Sequence, residues 1–266
     1  MPNRLRLLSF NIQNRRGEPA AVLQERMTQC AAFISSFTPD LVCLQEVVPE
    51  AWELLNTHLA PAASVYSPRI DGARHGEGAP LLLLNPAWTV RSQQSFWFSE
   101  TPEHPSRDWK AVHPRVCSVL ELTDPLDPNQ TASLWIYNLH LDHRSGFARS
   151  QSLKLLRHRI REHSRPGDRI LVCGDFNMPG YRKVVRDFLK PFPPLQDATL
   201  HHPIGMARPT YLGWGPFRLA KARIDLCLHS PSLHCPQYHA HTPDWKNNRI
   251  SDHRAVEVKL SPASTS

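Results

Sequence analysis

Short apolar runs, alternating or continuous over strand lengths, recur along the chain: Leu5 to Asn11, Leu41 to Gln45, Pro80 to Asn85, Val116 to Leu122, Leu134 to Leu141, Ile170 to Gly174, Arg223 to Leu228 and Ala255 to Leu260. Between some of them the spacing lengthens to a helical period. The clearest helix runs from about Ser145 to Ser164, where Phe147, Leu153, Leu156 and Ile160 recur; a second covers Ala20 to Phe37. Early β-α-β alternation gives way to strand-rich stretches, which predicts mixed rather than purely parallel sheets. With no internal repeat or low-complexity linker, one domain over residues 1–260 is expected, followed by a flexible tail at 261–266, SPASTS.

Several of these strands end in polar residues. The run LVCGDFNMPG places Asp175 and Asn177 two residues apart, so that in an extended chain both lean to one side while Phe176 packs away. The same pair also suits a turn before Pro179 and Gly180. The first strand ends SFNIQ, with Asn11, and the second LVCLQEV, with Glu46. YNLHLDH then brings His140 and Asp142, ARIDLCL brings Asp225, and ISDHRAV brings Asp252 and His253. Taken singly, each has an ordinary structural reading as a surface carboxylate, a satisfied core histidine or a cap. Their number and order argue for chemistry.

Composition narrows the setting. The 266 residues are 41% hydrophobic and 21% charged, enough for a sizeable core, and 25 prolines predict long irregular loops such as Thr101 to Pro114 and Lys190 to Pro194. A net charge of +7, with 15 histidines besides, favours an anionic partner: nucleic acid, a phosphorylated metabolite or a lipid headgroup. Lys154, Arg157, Arg161 and Arg165 fall on one face of the predicted helix, as a solvated face or as a track for a phosphate backbone. Trp97, Trp109, Trp214 and Trp245 offer either base-stacking surfaces or small satellite cores. The six cysteines lack C-x-x-C spacing and sit mostly in apolar runs, so buried reduced thiols are expected. No apolar stretch suits a signal peptide or a membrane span; a cytoplasmic single-domain monomer without membrane insertion is the expectation.

The ordered set from Asn11 to His253, with GDFN and SDH as its most specific pair, resembles the endonuclease/exonuclease/phosphatase superfamily of DNase-I-like hydrolases. The stretch FWFSETPEHPSRDW, then HPRVCSVLEL and YNLHLDH, is most similar to a bacterial branch of metal-dependent hydrolases within it. The resemblance implies an α/β (α+β) fold, a four-layer αββα sandwich of two packed mixed β-sheets flanked by helices, with the active site at one edge. It also implies that His140 stabilises the transition state. Where several superfamily nucleases carry an acidic residue after the first asparagine, this chain has Gln13, which speaks against a second acidic metal contact.

Hydrolysing a phosphate ester takes a metal at the non-bridging oxygens, an activated water in line with the leaving group, and stabilisation of developing charge. The oxygen donors Asn11, Glu46 and Asp252 suit a hard ion, Mg²⁺ or Mn²⁺. Asp175 is the expected base, Asn177 holds water or a phosphate oxygen, and His253 contacts the scissile phosphate with its tautomer fixed by Asp225. Arg115 and Arg223 serve either as phosphate ligands or in ion pairs, and Asp142 stands behind the site. The expected activity is a phosphodiesterase or nuclease acting on nucleic acid. The alternatives are hydrolysis of a small phosphorylated metabolite or lipid headgroup, and a non-catalytic nucleic-acid-binding member of the fold. NLHLDH is also one residue from H-x-H-x-D-H, a zinc signature, with Asn138 in the first histidine's place.

Overall fold

In the computed structural model, which describes residues 4–127, 129–191, 193–200, 208–213, 222–245 and 248–263, every predicted strand is present. The elements in chain order are β1 (Leu5–Asn11), α1 (Ala20–Ser35), β2 (Leu41–Gln45), α2 (Pro49–Leu59), β3 (Ala63–Val65), β4 (Leu81–Leu83), β5 (Val90–Trp97), β6 (Val116–Thr123) and β7 (Ser133–His140). They continue with α3 (Gly146–His163), β8 (Arg169–Asp175), α4 (Lys183–Leu189), β9 (Gln196–Asp197), β10 (Asp225–His229), β11 (Leu233–His241), β12 (Asp244–Trp245), β13 (Asn248–Arg249) and β14 (Ala255–Pro262).

Two six-stranded sheets form, ordered β11-β14-β1-β2-β4-β3 and β5-β6-β7-β8-β10-β9, beside a small β12-β13 ribbon. Each large sheet contains one parallel pair, β1 with β2 and β7 with β8, and each pair is joined through a helix, α1 or α3. The remaining pairings are antiparallel, so both sheets are mixed.

Strand alternation builds the layers. Leu5, Leu7, Leu41, Cys43, Leu134, Ile136, Leu171, Cys173 and Cys227 all belong to the core between the sheets. Their neighbours Leu8, Phe10, Val42 and Leu44 pack outward under α1 and α2, while Trp135, Tyr137, Ile170 and Val172 pack under α3 and α4. The result is the αββα sandwich. Carried two or four residues further, the inner-face period arrives at Asn11, Gln45, Asn138, His140, Asp175 and Asp225. Both sheets therefore turn polar at the same edge.

Where structure and sequence pattern differ, the causes are local. The elements the pattern does not reveal include β3, which is short, and β5, whose burial is mostly partial. β11 carries Pro236 beside a register shift between His234 and Gln237, tolerable because it is an edge strand. α2 begins with Pro49 at its first turn, a helix-start signal. The α3 prediction stands, with Ser145 as N-cap accepting from Ala148 N–H at 3.0 Å. Phe147, however, is 53% exposed and lies outside the core.

The basic stripe also comes apart. Arg157 is buried, its guanidinium donating to the Pro193 and Phe188 carbonyls and lying 4.4 Å over the Phe188 ring, and Arg165 falls beyond the end of α3. β14 extends through Ser261 and Pro262, so the strand runs into the segment expected to be tail; residues 264–266 of that segment lie outside the described residues. All six cysteines are free and buried. Among the described residues no helix is long and apolar enough to cross a membrane.

Candidate active site

The polar edge opens into a cleft of about 440 Å³ lined by Glu46, Asp175, Asn177, His140, Asp252 and His253 among others. Its position follows from strand register. Parallel pairing puts Asn11 opposite Gln45 and His140 opposite Asp175, and the antiparallel partner β10 starts at Asp225, opposite Asp175. Gly174 makes this last approach possible: at φ +132° it lies so close to β7 that a Cβ would sit 2.0 Å from the Leu139 carbonyl oxygen. The glycine of GDFN is thus a packing requirement.

Asp175 is the focus. Its Oδ1 accepts the Asn177 backbone N–H at 2.7 Å, which fixes the carboxylate through the turn anticipated in the sequence. Its Oδ2 is then left facing the Asn11 amide at 3.2 Å, His140 Nε2 at 3.5 Å and His253 Nε2 at 3.9 Å. Asn177 has φ +50° and donates its side-chain amide to the Leu141 carbonyl at 2.9 Å, so the turn and the site are one construction.

Gln13 and Glu46 share that left-handed backbone, at φ +60° and +61°. Three non-glycine residues just past β1, β2 and β8 are therefore held in a costly conformation around one cleft, a pattern typical of functional sites.

Asn11, expected to present its oxygen to a metal, is placed differently. Its Oδ1 accepts the Gln13 N–H at 3.0 Å, and its amide nitrogen donates to Glu46 at 3.0 Å as well as to Asp175. Glu46 also accepts the Asn14 N–H at 2.8 Å. The ligand atoms of Glu46, His140 and Asp175 lie within 4.8 Å of one another, as do those of Asp175, Asp225 and His253. Asp252 lines the same cleft outside these two groups.

The SDH segment is anchored by Ser251, whose hydroxyl donates to the Asn11 carbonyl at 2.5 Å and accepts the His253 N–H at 3.0 Å. His253 Nδ1 pairs with Asp225 at 2.8 Å, leaving Nε2 toward Asp175. Thr210, for which the sequence holds no signal, accepts the Ile224 and Asp225 backbone N–H groups, and Tyr211 lies 5.1 Å from the His253 ring.

The electrostatics follow from burial and crowding. Burial raises Glu46, with Glu77 adding to it, and burial raises Asp252 as well. Burial, reinforced by Asp225, pushes Asp175 up to about 7. For His253 burial pulls downward, but the carboxylates of Asp225, Asp175 and Asp252 outweigh it and raise the imidazole to about 10. Burial, then Arg115 and Arg69, holds His140 well below the ordinary histidine range. One histidine stays charged at neutral pH, and the other stays neutral.

Other expected residues lie elsewhere. Arg223 is taken up by an ion pair with Asp197 at 2.7 Å and does not line the cleft, so the phosphate role considered for it is set aside. Asp142 accepts three backbone N–H groups, from Val112, Arg144 and Ser145, and so holds the entry to α3. The zinc signature dissolves: Asn138 is buried between the sheets, and among the described residues neither Asp142 nor His143 joins a cluster with His140. Arg69 and Glu77 also line the cleft although no sequence pattern marked them, as do His113 and His143, which fall inside HPRVCSVLEL and YNLHLDH but carry no predicted role of their own.

A family model described as the Endonuclease/Exonuclease/phosphatase family matches residues 8–253. No curated protein sequence matches the chain. Among solved structures, it is similar to a mannosyl-6-phosphatase of Bacteroides thetaiotaomicron VPI-5482, with 25% identity over 96% of this chain and 99% of that one and a TM-score of 0.83. It is also similar to an endonuclease/exonuclease/phosphatase from Bacteroides vulgatus (23% identity, 98% and 100% covered, TM-score 0.83). TDP2 from C. elegans shares the fold at 18% identity, with 97% and 75% covered and a TM-score of 0.73.

Proposed function

The chain belongs to the endonuclease/exonuclease/phosphatase family, and on that premise we propose that it is a divalent-metal-dependent hydrolase of phosphate monoesters on small molecules. The observation that carries hydrolysis is the placement of Asp175: fixed through Oδ1, with Oδ2 turned to His140 and His253, and raised to about 7, near the optimum for a base working at neutral pH.

The donor set fits a hard cation. Glu46 and Asp252 are oxygen donors in this cleft, and burial raises both, the condition a bound cation relieves. Glu46 would hold it, with Asp252 close by, which leaves Asp175 as the base. When bound, such an ion neutralises the phosphate oxygens and assists the leaving group. Mg²⁺ and Mn²⁺ are the ions this oxygen-rich set favours.

The protein's own groups do the rest. Asp175 Oδ2 takes a proton from water as the water attacks phosphorus in line and the ester P–O bond breaks. Protonated His253, held by Asp225, faces the charge that grows on the phosphate oxygens. His140 contributes as a neutral N–H donor. Asn11 aligns Glu46 with Asp175, and Asn177 sets the turn that aims Asp175.

For substrate, the supports for nucleic acid weaken one by one. The basic stripe is broken by the burial of Arg157. Trp97 is buried with its indole N–H on the Arg69 carbonyl, Trp109 packs against the core under α3, and Trp214 and the Trp245 side chain lie outside the described residues. Net charge remains. The cleft volume falls in the range of small-molecule pockets, and one structural relative is a mannosyl-6-phosphatase.

The test is hydrolysis by chelator-stripped protein, with and without Mg²⁺ or Mn²⁺, of a sugar phosphate, single-stranded DNA, duplex DNA and RNA, with Asp175→Asn as blank. Metal-dependent phosphate release from the monoester, absent in the variant, is the expected result. Cleavage of a polymer alone would return the enzyme to the nucleases.

A further inference from the structure

The cleft has a second, basic wall that the hydrolytic residues do not explain. Arg115 follows from register: β6 pairs with β7 through Cys117 opposite Leu139, which sets Arg115 at the sheet edge beside His140. Its guanidinium is 4% exposed, yet Nε and Nη1 have no hydrogen-bond partner. Asp142, the nearest carboxylate, is 3.9 Å from Nε, beyond hydrogen-bond reach, and its oxygens are already engaged by three backbone N–H groups.

Arg69 repeats the arrangement. It is 7% exposed and pairs with Glu77 at 2.6 Å, but its Nε is also unpartnered. The void bounded by Arg69, Glu77, Gly78, Arg115 and His140 measures about 10 Å³, room for no more than one water. His113 and His143 stack at 6.3 Å on the same wall. Arg115 Nη2 meets His143 Nδ1 at 3.1 Å, and because a guanidinium only donates, that nitrogen accepts and Nε2 carries the proton as a further donor.

Two arginines and two histidines on one wall of the cleft, with guanidinium donors left over, suit an anion. Resting on the monoesterase reading above, we propose that Arg69, Arg115, His113 and His143 form a second anion-binding subsite beside the reaction centre. The preferred substrate is accordingly a compact phosphate monoester that carries a second anionic group, a phosphate or a carboxylate.

The experiment measures binding separately from turnover. Asp175→Asn protein with Mg²⁺ is titrated calorimetrically with two ligand pairs: a hexose 1,6-bisphosphate against the 6-phosphate, and 3-phosphoglycerate against glycerol 3-phosphate. The second anionic group is expected to tighten Kd by about tenfold or more in at least one pair, which also tells phosphate from carboxylate. Adding Arg115→Gln or, separately, Arg69→Gln should reduce that advantage to about twofold or less, whereas Lys154→Gln on α3 should leave it intact. Melting curves confirm that each variant is folded.

Equal affinities within both pairs, or an advantage that survives both arginine changes, would overturn the subsite. Wild-type turnover separates this from the monoesterase reading. Bisphosphate preference in binding without hydrolysis of any monoester leaves the subsite standing and removes the reading. Hydrolysis with the same KM for both members of each pair does the reverse.

Discussion

Two polar clusters sit side by side, Gln45 at the end of β2 with Glu46 just past it and Asn138 two residues before His140 on β7, and they are opposites. Gln45 and Asn138 clasp the sheets together. Gln45 donates to Asn138 at 2.8 Å, and Asn138 in turn reaches the carbonyls of Leu44, Ala79 and Pro80 at 2.7 to 3.0 Å. Just beyond, Glu46, Asp175, Asp225 and Asp252 crowd together, with Asp225 Oδ1 buried and unpartnered. Amides carry both donors and acceptors and can pair with one another in a dry layer, although Gln45 Oε1 is left without a partner here. Carboxylates only accept, so they cannot pair with one another, and the charge that remains beyond their N–H donors calls for a cation or a proton. The clasp is built for stability, the cleft at its expense.

That contrast can be broken experimentally, and the strongest attempt is Asp175→Asn. Turnover should fall by about 10³-fold or more, the range for losing a general base. Stability of the metal-free protein should hold or rise, because a buried, repelled carboxylate is gone. The pH dependence carries the sign. Asp175 has a folded pKa of about 7, above its unfolded value, so its contribution to stability is complete below about pH 4 and is lost as pH rises through 7. Chelated wild-type protein should therefore lose this contribution across that window, and the variant should lack the slope. A sharply lower melting temperature for the variant would contradict the contrast.

Asn138→Ala attacks the other side. Taking this donor from the buried Leu44 and Ala79 carbonyls, while Pro80 keeps the Leu44 N–H, should cost about 2 to 3 kcal/mol in urea denaturation. Turnover per folded molecule should survive, and a catalytic loss as large as that of Asp175→Asn would merge the two clusters into one.

Smaller effects sharpen the division within the cleft. Glu46→Gln should raise the metal concentration for half-maximal activity by roughly tenfold or more. Unchanged metal dependence would take Glu46 out of the ligand set. Asp225→Asn should move the alkaline limb of kcat/KM down by about one pH unit or more, since the first carboxylate holding His253 near 10 is neutralised. Smallest of all, Arg223→Met should lower the melting temperature while leaving turnover within about twofold, as expected for a side chain spent on Asp197.

Much of this was legible in the chain. Apolar runs located the strands that form the two sheets, and GDFN and SDH marked residues that the structure brings into one cleft or directly behind it. Edge strands such as β11 escaped because a proline and a register shift spoil the period. The roles of Arg223 and Arg157 escaped because an arginine in a sequence does not show its partner. Arg69 and Glu77 escaped for a related reason: they come from the long connection between β3 and β4, where no periodicity tells which way a side chain turns.

The sequence by itself determined the alternation within each strand, and with it the fact that inner faces end in Asn, Gln, His and Asp. Period-two geometry is local and needs no partner. Only the tertiary structure decided that both sheets present those ends at one edge, that Gly174 brings Asp175 beside His140, and that Arg115 is buried there with Nε and Nη1 unpartnered. Those are consequences of packing between segments far apart in the chain, and burial is what turns ordinary carboxylates and imidazoles into groups with shifted affinities for protons and ions.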